Sequence, residues 1–270
     1  MNALMGEKLA IVSSKVQTTR HRIKGIITEK DYQIILSDTP GIIEPKYKLH
    51  EKMMHAVKGA LEDSDVAILL VDINEDWNEV NEIFEALKLR VPCIVVVNKV
   101  DQSNDEKKNQ AIQFFRNKKY TTECIGISAL GNYQIPELLQ LMLKFLPEAE
   151  PFFEGDEMSD LPTRFFIGEM VREKIYQIYK EEIPYHTTVL VNEFREKTTL
   201  TKIVADIIVQ RETQKGILLG EGGKMIKQLG TEARKEMEKF LGRKVFLELF
   251  VKVRPKWRDN DMMLREYGYH

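Results

Sequence analysis

The chain has 270 residues, 43% hydrophobic and 30% charged, with 40 Lys and Arg against 42 Asp and Glu and a formal charge of −2. This composition excludes a disordered chain and supplies enough material for two domains or one large one. No apolar run reaches the length of a membrane span and no signal-peptide pattern opens the chain. Cys93 and Cys124 lie in apolar strand-like runs without metal-type spacing, as expected of a reduced cytosolic protein.

The charge is unevenly spread. Residues 164–270 hold 21 Lys and Arg against 16 Asp and Glu, while 1–163 hold 19 against 26. A basic C-terminal half points weakly to a polyanion as partner.

In chain order, MNALMG (1–6) reads as the last turns of a helix closed by Gly6. Residues 8–14 lead to Gln17-Thr18-Thr19-Arg20-His21. The segments 22–28 and 32–37, separated by Glu29-Lys30-Asp31, form an antiparallel hairpin pattern. The second runs into Asp38-Thr39-Pro40-Gly41. There the Asp38 carboxylate can hold a Mg²⁺-bound water, and the Gly41 N–H can approach a terminal phosphate closely. The same four residues also suit an ordinary turn. A helix over 49–61, a strand over 66–71 and a helix over 79–89 follow.

Cys93–Val97 is apolar and mostly β-branched without alternation, the pattern of a parallel strand buried on both faces. Its carboxyl end delivers Asn98-Lys99-Val100-Asp101, where ligands of open α/β sheets bind. A fixed Asp101 carboxylate can accept two hydrogen bonds from guanine, at N1–H and the exocyclic amine. Adenine would leave it desolvated and unpaired, a penalty able to support ~10⁴-fold discrimination. Asn98 can tie the loop together and the Lys99 stem can cover the ring face; alone, the quartet could also be a solvated turn. A charged helix over 105–117 precedes a strand over 123–127, which ends in Ser128-Ala129-Leu130. Here the Ala129 N–H can meet the guanine carbonyl. A helix over 134–146 ends before Pro147, and the alternation of strands and helices predicts a mostly parallel sheet covered on both faces.

Taken together, Thr-Thr, DTPG, NKVD and SAL, each at a strand end and in that order, resemble the GTPase superfamily over nearly all of residues 1–146. The nucleotide-binding set this implies is Asp38, Gly41, Asn98, Lys99, Asp101, Ser128 and Ala129. The superfamily's phosphate cradle, Gly-x-x-x-x-Gly-Lys-Ser/Thr, is not found, and neither Lys8 nor Lys15 has a context that replaces it. The expected fold is therefore a P-loop-NTPase-like α/β sheet lacking its first strand and P-loop. Truncation, a misassigned start codon and true degeneration are the three explanations, degeneration ranking last. Two apolar sheet edges are expected to stand unpaired.

Residues 148–163 carry six acidic and no basic residues with two prolines and a glycine, an interdomain linker. Helical periodicity over 163–179 is followed by strands over 187–191 and 201–209. Next comes Gly220-Glu221-Gly222-Gly223, then Lys224 to Gly230. Side-chain-free backbone can press against a single nucleic-acid strand while Lys224 and Lys227 screen its phosphates, the use made of such a loop in RNA-binding KH domains. A helix over 231–241 and an alternating strand over 245–253 complete a type II (bacterial) KH order, with a charged helical tail over 257–269.

A GTPase domain (1–147), an acidic linker (148–163) and a KH domain with its tail (164–270) together resemble the Era GTPase family. The matching words are QTTRHRI (17–23), DTPG, NKVD, 219–230, EARKEME (232–238) and LELFVKVRPKW (247–257). The resemblance implies GTP and GDP as ligands, Mg²⁺ as cofactor, slow hydrolysis, and Thr18 or Thr19, with Thr19 favoured, as the metal-binding threonine beside Asp38. It implies an RNA-binding set of Gly220, Glu221, Gly222, Gly223, Lys224 and Lys227 that holds the 3′ region of 16S rRNA, and a role in assembly of the 30S ribosomal subunit. It also implies a monomer in the cytoplasm and allows peripheral association with the inner membrane. Ile42 stands where many GTPases place a water-orienting Gln, so no catalytic base is assigned. The competing expectation is an RNA-binding module whose GTPase-like half no longer binds nucleotide.

Overall fold

The structure is a computed structural model that describes residues 1–13, 15–155 and 157–270. The chain forms two compact units that interleave along the sequence: Met1–Lys8, Ile26–Ile34 and Lys58–Asp156 in the first, and Leu9–Gly25, Ile35–Val57 and Glu157–His270 in the second. Among the described residues no helix is long and apolar enough to cross a membrane.

The chain opens with a short helix, α1 (Asn2–Met5), closed by Gly6 at φ 69° as the sequence predicts. Strands β1 (Ile23–Thr28) and β2 (Gln33–Asp38) form a two-stranded sheet of their own. After α2 (Lys48–Glu62) the first unit continues as β3 (Ala67–Asp72), α3 (Trp77–Ala86), β4 (Cys93–Asn98), α4 (Asp105–Arg116), β5 (Glu123–Gly126) and α5 (Ile135–Leu143). β3, β4 and β5 are parallel neighbours in that order, in register from Ala67↔Cys93 to Asp72↔Asn98.

The uninterrupted run in β4 is explained by its central place. Cys93, Ile94, Val95, Val96 and Val97 are all fully buried. On one face Leu69, Val71, Cys93, Val95, Val97 and Cys124 pack with Phe84 of α3 and with Ala111 and Phe115 of α4. Burial pushes the Cys93 thiol up to about 12 and that of Cys124 to about 11, so both behave as small apolar groups. β3 has β4 alone as a strand partner among the described residues, and its alternate side chains Ile68 and Leu70 are 36% and 59% exposed. The expected mostly parallel sheet is thus a parallel three-stranded sheet, and the hairpin forms a separate sheet.

The second unit holds α6 (Thr163–Ile178), β6 (Thr188–Glu196), β7 (Thr201–Val209), α7 (Glu212–Leu219), α8 (Lys224–Leu241), β8 (Val245–Val253) and α9 (Asp261–Glu266). β7 pairs antiparallel with β6, with a bulge between Val191 and Glu193, and parallel with β8 along its whole length. Its core gathers Ile167, Val171 and Ile175 of α6, Ile203, Ile207 and Val209 of β7, and Leu229, Ala233 and Met237 of α8.

Three expectations are corrected here. The strand expected over 187–191 runs on to Glu196. The two helices expected after the glycine loop are one helix, α8. A mid-helix glycine costs about 1 kcal/mol relative to alanine, but Leu229, Ala233 and Met237 continue one buried stripe across Gly230, and Thr231 returns its hydroxyl to Lys227 O at 2.8 Å. The tail over 257–269 is not one helix: a single 3₁₀ turn at Trp257–Asp259 gives way to α9. Asn260 starts α9 by accepting from the N–H groups of Met262 (3.0 Å) and Met263 (3.1 Å), an N-cap that the helical pattern conceals.

Candidate nucleotide and RNA sites

The residues expected to read guanine lie at the carboxyl ends of β4 and β5 in the first unit. Asn98 is the last residue of β4, and its Oδ1 accepts from the Ala129 N–H at 3.0 Å, joining the NKVD and SAL turns. Val100 N–H donates to Ile127 O at 3.1 Å, a second tie between the same turns. Ser128 is buried; its Oγ accepts from Gly131 N–H at 3.0 Å and its backbone bridges Tyr133. These bonds fix the turn so that Asp101, on a 3₁₀ turn, projects an exposed carboxylate. Lys99 takes φ 61°, and its ammonium meets Asp72 Oδ2 at 2.6 Å. Burial alone would raise the Asp72 pKa; hydrogen bonds from Lys99 and the Asn74 N–H outweigh it and hold the carboxyl below its usual range.

The residues expected to hold magnesium lie in the second unit. Asp38 ends β2, and Thr19 Oγ1 donates to its Oδ2 at 3.2 Å. Thr18 is engaged through its main chain, its carbonyl accepting from Arg172. The geometry therefore separates the two threonines: Thr19 presents its hydroxyl beside the carboxylate. Burial pushes the Asp38 carboxyl up, partly offset by the Thr19 hydrogen bond. A hydroxyl and a carboxylate side by side suit Mg²⁺, which takes few protein oxygens and completes its octahedron with waters and phosphates. Among the described residues no group of three or more His, Cys, Asp or Glu could hold a metal on its own. Gly41 is exposed, with open space where a Cβ would stand.

The glycine loop lies between α7 and α8. Gly220, Gly222 and Gly223 have φ of 67°, 58° and 76°. A Cβ on Gly220 would clash with the Met225 side chain, whereas Gly222 and Gly223 face open space. The first glycine thus closes the turn, and the interior ones leave backbone free for a close approach. Glu221 and Lys224 are 94% and 81% exposed at 3.9 Å from each other, and Lys227 is exposed one turn on.

Residues 182–258 match the KH domain family, and residues 1–99 match a family described as 50S ribosome-binding GTPase. The GTPase Era of Staphylococcus haemolyticus is 39% identical over 272 residues, spanning 100% of this chain and 91% of that protein. The chain belongs to the Era GTPase family. Two Era crystal structures align with it at a TM-score of 0.95 and 39% identity over 99% of this chain. One is in complex with MgGDPNP and nucleotides 1506–1542 of 16S ribosomal RNA and is covered to 92%. The other, a singly substituted Aquifex aeolicus Era, is bound to GDP·AlF4⁻ and is covered to 93%.

Within this Era-family chain, sequence reasoning missed the residues that hold the threonine segment. Arg172, Tyr176 and Arg20 are buried and bond to main-chain oxygens more than 150 residues away in sequence. α6 reads as amphipathic, yet it buries Glu169, Arg172 and Glu173 together with its apolar residues. Charges that face one another and main-chain groups rather than water leave no periodic signal.

Proposed function

We propose that this chain is a Mg²⁺-dependent guanine-nucleotide switch that hydrolyses GTP slowly, binds the 3′ region of 16S rRNA through its glycine loop, and assists assembly of the 30S subunit in the cytoplasm. The observation that carries the reading is the Asn98–Ala129 tie, which presents the exposed Asp101 carboxylate on a chain that also carries the Gly220–Gly223 loop. When bound, GTP supplies the phosphoryl group that is transferred. The chain's own residues read the base (Asp101), brace the turns that surround it (Asn98, Ser128, Ala129), and hold Mg²⁺ (Thr19, Asp38). Lys224 and Lys227 screen phosphates where the loop backbone meets the RNA strand. Complexes of relatives with MgGDPNP and 16S rRNA nucleotides, and with GDP·AlF4⁻, support this assignment.

A second reading, an RNA-binding module without nucleotide binding, is favoured by one observation: the sequence contains no Gly-x-x-x-x-Gly-Lys-Ser/Thr. Fluorescent GDP decides between them. Micromolar binding that moves from guanine towards xanthine nucleotides in Asp101→Asn supports the switch. Absence of guanine-nucleotide binding with RNA affinity intact supports the module. Binding to vesicles of anionic lipid tests a peripheral membrane association, which no residue geometry described above requires.

A further inference from the structure

The segment that leads to Thr19 is held at Val12, Gln17 and Thr18 through its main chain and at Lys15 and Arg20 through side chains, mostly by α6. Tyr176 Oη donates to Gln17 O at 2.8 Å, and Arg172 Nη2 donates to Thr18 O. The same guanidinium forks onto Glu169, Nε to Oε1 at 2.8 Å and Nη2 to Oε2 at 2.6 Å. Lys15 Nζ donates to Tyr176 O and Tyr179 O, at the end of α6 where the helix dipole favours a cation. Val12 N–H donates to Glu173 Oε1 at 2.9 Å. Arg20 closes the far side, donating to Thr187 O at 2.8 Å, Pro184 O at 2.9 Å and Tyr185 O at 3.1 Å.

These bonds impose a shape that the segment has no local reason to adopt. Gln17 sits at φ 58°, an uncommon conformation for a residue with a side chain, and its own carbonyl is the one Tyr176 holds. Two residues later, Thr19 Oγ1 arrives 3.2 Å from Asp38 Oδ2. α6 also packs with α8 in the core and pairs with it through Lys174 and Glu236 at 2.6 Å, and α8 starts at the glycine loop.

We propose that Arg172 and Tyr176 are positioning residues that set the pose of Thr19 as a magnesium ligand, so that α6 links the RNA-binding loop to that ligand. The magnesium role rests on the nucleotide-switch reading above; the clamp on residues 17–20 does not. Holding two consecutive carbonyls fixes the peptide planes on either side of Thr18, and hence the direction in which the next hydroxyl points.

The test is amide hydrogen exchange on the full chain, comparing wild type with Tyr176→Phe, which removes one hydroxyl, and Arg172→Lys, which keeps a cation opposite Glu169. Losing one buried bond speeds local opening about tenfold, so exchange at Thr19, Arg20 and His21 should rise by that factor while β7 stays unchanged. Adding an RNA of 16S nucleotides 1506–1542 should slow exchange there in wild type and not in Tyr176→Phe. In GTP hydrolysis, the Mg²⁺ concentration for half-maximal rate should rise about tenfold with magnesium-free GDP affinity unmoved. Unchanged exchange at 18–21 overturns the clamp. Faster exchange with an unaltered Mg²⁺ requirement overturns the positioning role. If wild type handles no guanine nucleotide, the switch reading fails by itself, and the exchange and RNA comparisons still decide the clamp and its link to the loop.

Discussion

Replacing Gly220 by alanine separates the structural glycine of the loop from those that serve the ligand. Gly220 has φ 67° and ψ 178°, a region open almost only to glycine, where strain costs of order 1–3 kcal/mol. The added Cβ would clash with Met225 Cγ and lie 2.8 Å from Met225 Cβ and 3.2 Å from Met225 N. The Cγ can swing away, but Cβ and N belong to the first turn of α8 and move only with the helix. The cost therefore falls near the upper end, about 3 kcal/mol. For a body of this size that lowers the melting temperature by roughly 6–12 °C. Gly222 has φ 58° and ψ 23° with nothing near its Cβ position, so alanine there costs only the left-handed penalty, ~1 kcal/mol or roughly 2–4 °C. Thermal unfolding followed by tryptophan fluorescence in a Trp77→Phe background assigns the signal to Trp257, which is fully buried in the second unit. Equal shifts for Gly220→Ala and Gly222→Ala would refute the division of roles within the loop.

Gly222→Asp should leave the melting temperature within a few degrees, because its surroundings are open, yet weaken binding of single-stranded RNA at least tenfold by charging the loop where phosphates approach; gel-shift titration measures it. Asn98→Ala removes the 3.0 Å tie to the Ala129 N–H, worth about 1 kcal/mol, and should lower guanine-nucleotide affinity about fivefold while β4 keeps its exchange protection. His186 predicts an acid-labile second unit. Burial, with Arg258 adding to it, lowers the His186 pKa from 6.5 to about 4. The unfolded chain then binds the proton first, so this contribution to stability is present above pH 6.5 and is lost as pH falls towards 4. Melting curves from pH 7 to 4 should show that loss, and His186→Gln should reduce it, the part due to buried His21 remaining.

Much of the framework was readable because it rests on local patterns. β7 and β8 begin and end where the strand patterns place them, at Thr201–Val209 and Val245–Val253, and the apolar run of β4 marks the strand that is buried on both faces. The NKVD turn was equally legible, since Asn98 needs only a partner on the next turn. What escaped depends on distance or on competition. Gly230 looked like a helix end, but the stripe of Leu229, Ala233 and Met237 outweighs the cost of one glycine. Asn260 looked like a polar residue within a helix and proves to be a cap. Arg172 gives no signal within the helical pattern over 163–179, and nothing near it in sequence announces that it serves the carbonyl of Thr18. Which of Thr18 and Thr19 sets its hydroxyl beside Asp38 likewise depends on a contact between segments distant in sequence.

α8 is 18 residues without a break, so it spans about 27 Å at 1.5 Å per residue. RNA bound at the glycine loop, as proposed, would push on one end of a stiff strut rather than on a jointed pair of rods. With no joint at Gly230 to absorb the load, a displacement at Lys224 arrives undiminished at Leu241, and a proline placed at mid-strut would uncouple the two ends while leaving every loop residue in place.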